Sequence, residues 1–110
     1  MSDPIPETVT EFFALDAQHD PEAVLALFAE DAVVVDEGQT MEGREAIRDW
    51  RKGAVSRYTY TTEIIGGEQL GPHHYLVRGR LTGDFPGGVV DLGWDFTLDD
   101  GRITRLVIAP

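Results

Sequence analysis

The apolar positions in the first part of the chain recur at helical spacing. Residues 6–17 place four apolar side chains on one helix face, and Glu7 and Glu11 lie near its start. These apolar residues are Val9, Phe12, Phe13 and Ala17. We therefore predict a first helix over residues 6–17.

Two further helices are predicted before the pattern changes. Asp20 can accept hydrogen bonds from the unpaired amides of a helix start, and Pro21 suits the first helical position. The apolar stripe that follows extends to about residue 29 and comprises Val24, Leu25, Leu27 and Phe28. A third helix is predicted over residues 44–55, with Ile47 and Trp50 on one side.

The rest of the chain has the period of β-strands. A short run rich in β-branched residues at 32–36 predicts one strand, and longer strands are predicted at 58–65, 73–82, 89–98 and 102–108. Gly66-Gly67 is expected to end the first of the long strands, and Asp99-Asp100-Gly101 is typical of a hairpin turn.

Side chains on the two central long strands alternate between apolar and polar. One face carries Tyr75, Val77, Gly79 and Leu81, followed on the next strand by Val90, Leu92, Trp94, Phe96 and Leu98. The opposite face carries Arg78, Arg80, Asp91, Asp95 and Thr97. Because successive strand residues face opposite sides, this pattern predicts an α+β fold whose sheet packs against helices on one face only.

Composition narrows the class of protein. The 110 residues fit one domain spanning 1–110, and 42% of them are hydrophobic. The chain has no cysteine, which excludes disulfides and thiolate metal sites. The start of the sequence lacks the basic and apolar regions of a signal peptide, and no apolar run approaches the roughly 20 residues that span a bilayer. A cytoplasmic location is the resulting expectation.

The charge balance bears on possible partners. Twenty acidic and nine basic residues give a formal net charge of −11. Nucleic acid and anionic membranes are bound mainly by Lys and Arg, so neither is an expected partner.

Four short motifs carry a resemblance to a known family. They are Asp20-Pro21-Glu22-Ala23, Phe28-Ala29-Glu30-Asp31-Ala32-Val33, Glu42-Gly43-Arg44-Glu45-Ala46-Ile47 and Asp99-Asp100-Gly101-Arg102-Ile103. The chain resembles the nuclear transport factor 2-like superfamily, especially its SnoaL-like and ketosteroid isomerase-like branches. The resemblance implies a cone-shaped half-barrel, in which a curved mixed or antiparallel sheet wraps around three N-terminal helices and opens into a ligand pocket. The fold hosts isomerases, cyclases, hydrolases and non-catalytic modules, so it does not name an activity.

Asp36 is the candidate catalytic residue. The resemblance places it where ketosteroid isomerases carry their proton-shuttling aspartate, and partial burial of a carboxyl raises its pKa toward that of a useful general base. The alternative is that Asp36 and Glu37 simply begin an exposed polar turn before Gly38.

Two positions argue against steroid isomerase activity itself. The resemblance aligns Phe12 and Trp94 with the Tyr and the protonated acid that donate hydrogen bonds to the dienolate in that family. Phe12 has no donor, and loss of one such donor typically costs about 10²–10³ in rate. With these donors degraded, Asp36 alone would give a feeble steroid isomerase, so the sequence argues against that activity.

We predict a pocket that binds or acts on a small hydrophobic molecule without a cofactor. In the catalytic case, Asp36 is the expected general base of a proton-transfer, cyclase or hydrolytic step. The expected ligand-binding residues are Phe12, Trp50, Tyr60, Tyr75, Val77, Leu92, Trp94 and Phe96. The alternative for each aromatic residue is ordinary core packing. A non-catalytic dimeric module that holds a ligand or partner segment is the second hypothesis, and an interaction domain with a filled core is the third.

Other kinds of site are not expected. His73 and His74 are neighbours on a strand and face opposite sides, so no metal site is predicted. Arg78 is followed two residues later by Arg80 rather than an acid, so the Asp-Arg-Asp set of related epoxide hydrolases is not present there. The charged outer face, with Asp91 and Asp95 opposite the arginines, forms either solvated cross-strand ion pairs or a homodimer interface.

Overall fold

The computed structural model describes residues 5–17, 21–53 and 58–110. The helices are α1 (Glu7–Ala17), α2 (Pro21–Leu25) and α3 (Gly43–Lys52). The proposed cap at Asp20 and the predicted end of the third helix at residue 55 lie outside the described residues.

The strands form one six-stranded sheet. In chain order they are β1 (Phe28–Asp36), β2 (Gln39–Glu42), β3 (Tyr60–Gly71), β4 (His74–Gly83), β5 (Val89–Asp99) and β6 (Arg102–Ala109). Their order in the sheet is β2-β1-β6-β5-β4-β3, with β1 and β6 parallel and the other neighbours antiparallel. This curved, unclosed mixed sheet confirms the predicted α+β half-barrel.

The second helix is shorter than the apolar stripe indicated. It ends at Leu25, and Phe28 begins β1, where it pairs with Ile103 of β6 and is fully buried. Placing Phe28 in a helix was wrong because an apolar residue satisfies a buried strand as well as a helix face. Strand pairing with β6 decides between the two.

The hairpin formed by β1 and β2 was not predicted. Glu37 and Gly38 have φ values of 53° and 76°, and they connect Asp36 directly to its partner Gln39. Two central residues with positive φ are the mark of a type I′ turn, which matches the twist of the flanking strands. Asp100 and Gly101 form the same kind of connection between β5 and β6, as the sequence predicted.

Gly66-Gly67 does not end a strand. β3 continues through both glycines to Gly71, and its pairing with β4 shifts register between Ile64 and Gly66. A Cβ at Gly67 would lie 2.9 Å from the Ile5 Cδ1 atom, so glycine allows the segment before α1 to approach the strand. The pair therefore marks an irregularity and a close contact.

The core lies between the inner face of the sheet and the helices. The Phe12 ring packs edge-on against Phe28 and Phe96, with centroid distances of 6.3 and 5.4 Å. Phe13 packs against Trp94 in the same way at 5.2 Å. These contacts fix α1 against β1 and β5, and they form the base on which the site is built.

Candidate functional site

A cavity of about 610 Å³ opens between the helices and the inner face of the sheet. Its lining is mostly apolar and aromatic, with a few polar groups, and consists of Phe12, Asp16, Asp36, Glu37, Gly38, Trp50, Arg51, Tyr58, Tyr60, Leu81, Phe85, Pro86, Val90, Leu92, Trp94, Ile108, Ala109 and Pro110. A volume of this size suits a molecule of drug-like dimensions.

Asp36 lies in the wall of this cavity at the end of β1. Val34, two residues earlier on the same face, is fully buried. The tight turn after Asp36 ends the strand at that residue, so its carboxyl stands at the edge of the apolar wall. The Trp50 indole Nε1–H donates a hydrogen bond of 3.0 Å to its Oδ2 atom.

The position of Trp50 depends on how α3 is attached to β1. Arg44, in the first turn of α3, donates two hydrogen bonds to the Phe28 carbonyl oxygen, at 2.7 and 3.2 Å. Ile47 is fully buried on the face of the helix that meets the sheet. Together these contacts hold α3 so that Trp50 reaches the far end of β1.

The environment of Asp36 raises the pKa of its carboxyl above the ordinary value. Burial is the largest cause, and the neighbouring Glu37 charge adds to it. The hydrogen bond from Trp50, the Arg51 charge and the Glu37 backbone N–H oppose the shift. A carboxyl with a raised pKa can both accept and return a proton closer to neutral pH.

A second polar cluster lines the same cavity. Asp16 of α1 forms a salt bridge with Arg51 of α3, and the two residues are only 7% and 4% exposed. The Tyr60 hydroxyl of β3 donates to Asp16 Oδ2 at 3.0 Å. Burial, followed by the Asp16 charge, raises the pKa of Tyr60 to about 12, so its phenol stays protonated. The Arg51 guanidinium also lies 5.3 Å from the centre of the Trp50 ring.

Sequence reasoning missed Asp16 and Arg51. Each lies one helical turn after a buried apolar residue, Phe12 for Asp16 and Ile47 for Arg51. A charged residue on the apolar stripe of each of two helices is the signal that would have found this pair.

Most of the predicted site residues do meet in the cavity. Asp36 is joined there by Phe12, Trp50, Tyr60, Leu92 and Trp94. Gly79 on β4 contributes by leaving room, because a Cβ there would lie 3.0 Å from Trp94 Cζ3. The large indole can therefore lie against the neighbouring strand and help form the cavity wall.

The structure does not bring Tyr75, Val77 and Phe96 into this cavity. Phe96 is fully buried in the core under Phe12 and Phe13. Val77 lines a smaller hollow of about 330 Å³ beside β3, and the Tyr75 hydroxyl donates to the Pro72 carbonyl at 3.4 Å. Alternation placed them on the inner face, but the cavity occupies only the end of that face near Asp36.

The outer face of the sheet carries ion pairs between neighbouring strands. Arg80 binds Asp91 with two hydrogen bonds of 2.7 and 3.0 Å, and His74 Nε2 lies 2.6 Å from Asp95 Oδ1. Arg78 is exposed opposite Gly93. The predicted solvated pairing is thus present for Arg80, whereas Asp95 pairs with His74 rather than with an arginine.

The structure describes residues 5–17, 21–53 and 58–110, and the following two statements apply to that part of the chain. No group of three or more His, Asp or Glu side chains there is arranged to hold a metal ion. No helix within those ranges is long and apolar enough to cross a membrane.

Comparisons with known proteins identify the family to which this fold is similar. Residues 9–106 match the SnoaL-like domain family. A candidate polyketide cyclase from Sinorhizobium meliloti is 39% identical, with 96% of this chain and 95% of that chain covered and a TM-score of 0.89. A ketosteroid isomerase-like fold protein from Catenulispora acidiphila, solved in complex with trimethylamine, is 25% identical over 96% and 85% of the two chains, with a TM-score of 0.84.

A more distant structure shares the fold. It is a Mycobacterium tuberculosis protein in complex with estradiol-17beta-hemisuccinate, with 20% identity, 99% and 95% coverage and a TM-score of 0.82. The comparison with curated proteins gave no match. The family match over most of the chain, together with the 39% identical structure, shows that this protein belongs to the SnoaL-like domain family.

Proposed function

We propose that this protein binds a small hydrophobic molecule in the 610 Å³ cavity and acts on it by cofactor-independent proton transfer, with Asp36 as the general base. Isomerase and cyclase reactions that proceed through an enolate begin with such a step. The observation that carries the proposal is the position of Asp36, whose carboxyl stands in an apolar wall and receives its side-chain hydrogen bond from the neutral indole of Trp50.

The geometry suits removal of a proton from carbon. The Trp50 N–H binds Oδ2 and so orients the carboxyl toward the cavity, while burial raises its pKa. Abstraction of a C–H proton next to a carbonyl converts the carboxylate to a carboxylic acid and the ligand to an enolate. A positioned base contributes about 10²–10⁴ in rate. Arg51 lines the cavity and carries a positive charge that can interact favourably with the enolate oxygen, whereas Phe12 has no donor and the Tyr60 hydroxyl already donates to Asp16.

The comparisons support the general class of activity. The 39% identical structure is a candidate polyketide cyclase, and the family to which the chain belongs is the SnoaL-like one. The complex of a similar protein with trimethylamine supports the use of this fold to hold small organic molecules. The choice of Asp36 as base rests on its geometry in this chain.

Carbon–hydrogen exchange with solvent tests the proposal without knowledge of the natural substrate. Hydrophobic ketones with acidic C–H groups, including 2-tetralone and a steroid ketone, are incubated with the protein in D2O, and deuterium incorporation is followed by NMR. We expect exchange well above the buffer rate and a loss of about 10²-fold or more in Asp36→Asn. Asp31→Asn is the matched control, because Asp31 is an exposed aspartate on the same strand and outside the cavity.

Equal exchange rates in the wild type and in Asp36→Asn would exclude Asp36 as the base. Binding without exchange, seen as ligand-induced stabilisation against heat, would favour a second function. This second candidate is a non-catalytic binding module. The observation that favours it is the presence in the cavity wall of Phe12, which has no donor, and of Trp94, whose indole N–H is a much weaker acid than the carboxylic acid that would assist an isomerase.

The same oligomeric state is proposed for both candidate functions. We propose a homodimer formed through the outer face of the sheet, where Arg80 and Asp91 present exposed charge. Light scattering at two protein concentrations tests it, with substitution of Arg80 by Glu expected to shift the protein toward the monomer.

A further inference from the structure

We infer that the molecule held in this cavity carries a positively charged nitrogen, such as a tertiary or quaternary ammonium group, on an otherwise hydrophobic skeleton. This inference rests on the proposed function, because it assigns a ligand class to the same cavity. It goes beyond that function by specifying the charge of the ligand.

Aromatic rings make up a large share of the cavity wall. Six of the lining residues are aromatic, namely Phe12, Trp50, Tyr58, Tyr60, Phe85 and Trp94. The face of an aromatic ring attracts a cation, and the attraction strengthens when the cation is removed from water. A lining of this kind accommodates an alkylammonium group without a large desolvation cost, while its apolar carbons remain in contact with the rings.

The cavity wall carries more negative than positive charges, which complements a cationic ligand. Three acidic residues, Asp16, Asp36 and Glu37, line the cavity, and among the residues that the structure describes Arg51 is the one basic residue that does. Arg51 is paired with Asp16, so these two charges largely offset each other. Asp36 and Glu37 remain without a salt bridge to any described Lys, Arg or His. An anionic ligand would meet this negative wall in a chain whose net charge is −11.

Affinity for the cation is expected to depend on pH because of Asp36. The ionisable groups that line the cavity with it are Asp16, Glu37, Arg51, Tyr58 and Tyr60. Burial and the Glu37 charge disfavour its ionised form, and the Arg51 charge favours that form only in part. A bound ammonium group would add a positive charge that stabilises the carboxylate. Cation binding and loss of the Asp36 proton therefore favour each other, which raises affinity for the cation as pH rises through the range in which Asp36 ionises.

The test compares ligands of one shape and different charge. Benzyltrimethylammonium, its neutral carbon isostere neopentylbenzene and the anion phenylacetate are titrated into the protein, with the Trp indole NMR signals as the readout. The experiments are done in about 0.15 M salt, where remote charges are screened beyond roughly 8 Å. We expect the cation to bind at least about tenfold more tightly than the isostere, and phenylacetate to bind most weakly. The cation has no titrating group, so its increase in affinity as pH rises through the range in which Asp36 ionises reports the protein alone.

Two variants locate the effect. Asp36→Asn should remove most of the preference for the cation and its pH dependence, and Asp31→Asn should preserve both, although each variant loses one negative charge. Equal affinities of the cation and the isostere in the wild type would overturn the inference and leave the proposed function standing. A preference that survives undiminished in Asp36→Asn would overturn the role of the Asp36 carboxylate, since the attraction would then come from the other groups in the wall. Failure of both these ligands and the neutral ketones to bind would refute the proposed function itself.

Discussion

Two aspartates line the same cavity and have opposite surroundings. Asp16, on α1, is 7% exposed and is bound by the Arg51 guanidinium and the Tyr60 hydroxyl. Asp36, at the end of β1, is half-buried and receives its side-chain hydrogen bond from the neutral Trp50 indole. The two carboxylates thus differ in whether a cation compensates for their removal from water.

This difference separates a structural role from a chemical one. A buried carboxylate bound by a cation has its charge compensated, and removal of either member of the ion pair leaves an uncompensated charge in the interior. A carboxyl whose ionised form is disfavoured by burial can instead exchange a proton or a charged partner. The Asp16 cluster, which consists of Asp16, Arg51 and Tyr60, connects α1, α3 and β3 around the cavity, and Asp36 faces the same space as the proposed general base.

The largest expected effect comes from breaking the Asp16 cluster. Asp16→Leu alone leaves the Arg51 guanidinium buried without its carboxylate, and we expect the free energy of unfolding to fall by about 3–5 kcal/mol. Adding Arg51→Met removes that charge as well. The double variant should recover a large part of the loss, because apolar pairs of similar volume often replace buried ion pairs at little cost. Urea unfolding of the wild type, both single variants and the double variant measures this coupling.

Strictly additive losses of stability in this double-mutant cycle would contradict the proposed contrast between Asp16 and Asp36. If the double variant loses as much as the two single variants together, Asp16 and Arg51 do not compensate each other's burial. The pair would then contribute to stability through its separate contacts with neighbouring residues.

An effect of intermediate size on stability is expected from removal of the Tyr60 hydroxyl. Tyr60→Phe removes the donor to Asp16 and leaves the ring in the cavity wall, so we expect a loss of about 1–2 kcal/mol in the free energy of unfolding. Tyr75→Phe is the matched control, because its hydroxyl makes a long 3.4 Å contact at an exposed strand end and should cost less than about 0.5 kcal/mol. Thermal and urea unfolding of both variants provide the measurement.

Ultraviolet titration gives an independent check on Tyr60. The wild-type protein should contain one tyrosine whose pKa is about 12, and this high-pH titration step should disappear in Tyr60→Phe. Equal losses of stability in Tyr60→Phe and Tyr75→Phe would show that the hydrogen bond to Asp16 has no special role.

Much of the sheet could be predicted from the sequence, because its determinants are local. Alternating side chains give β4 and β5, and the Asp100-Gly101 pair gives the hairpin into β6. The equivalent turn at Glu37 and Gly38 was overlooked, since β2 has four residues and is almost wholly exposed. Because this short strand lacks a hydrophobic pattern, it is recognised from its pairing with β1 and from the positive φ values of the turn.

The site was predictable in part, for a related reason. Asp36 and the aromatic wall follow from strand alternation and from the family position. Helical spacing marks Asp16 and Arg51 as charged residues on apolar stripes. It does not specify that Asp16 binds Arg51 and Tyr60, which lie 35 and 44 residues away. The extent of the cavity along the inner face, which leaves out Phe96, is likewise set by the packing of α1.

The smallest expected effect, and the one with the opposite sign, belongs to Asp36. Its folded-state pKa lies above the unfolded value, so the folded protein retains a proton that the unfolded chain loses. The associated stability is fully present below the unfolded pKa and is lost as pH rises through the folded pKa. Asn at this position preserves an acceptor for Trp50 and does not ionise. Asp36→Asn should therefore be slightly more stable than the wild type at pH 8, by less than about 1 kcal/mol because solvent screens the half-buried group.

The pH profile of that difference is the decisive measurement. Unfolding free energies of wild type and Asp36→Asn between pH 3 and pH 8 should diverge as pH rises, and the gap should become constant once Asp36 is ionised. Asp31→Asn, at the exposed aspartate on the same strand, should show no comparable divergence. A wild type that gains stability relative to Asp36→Asn as pH rises would mean that its carboxylate is stabilised by folding. The contrast with Asp16 would then disappear, and with it the reason to assign the chemistry to Asp36.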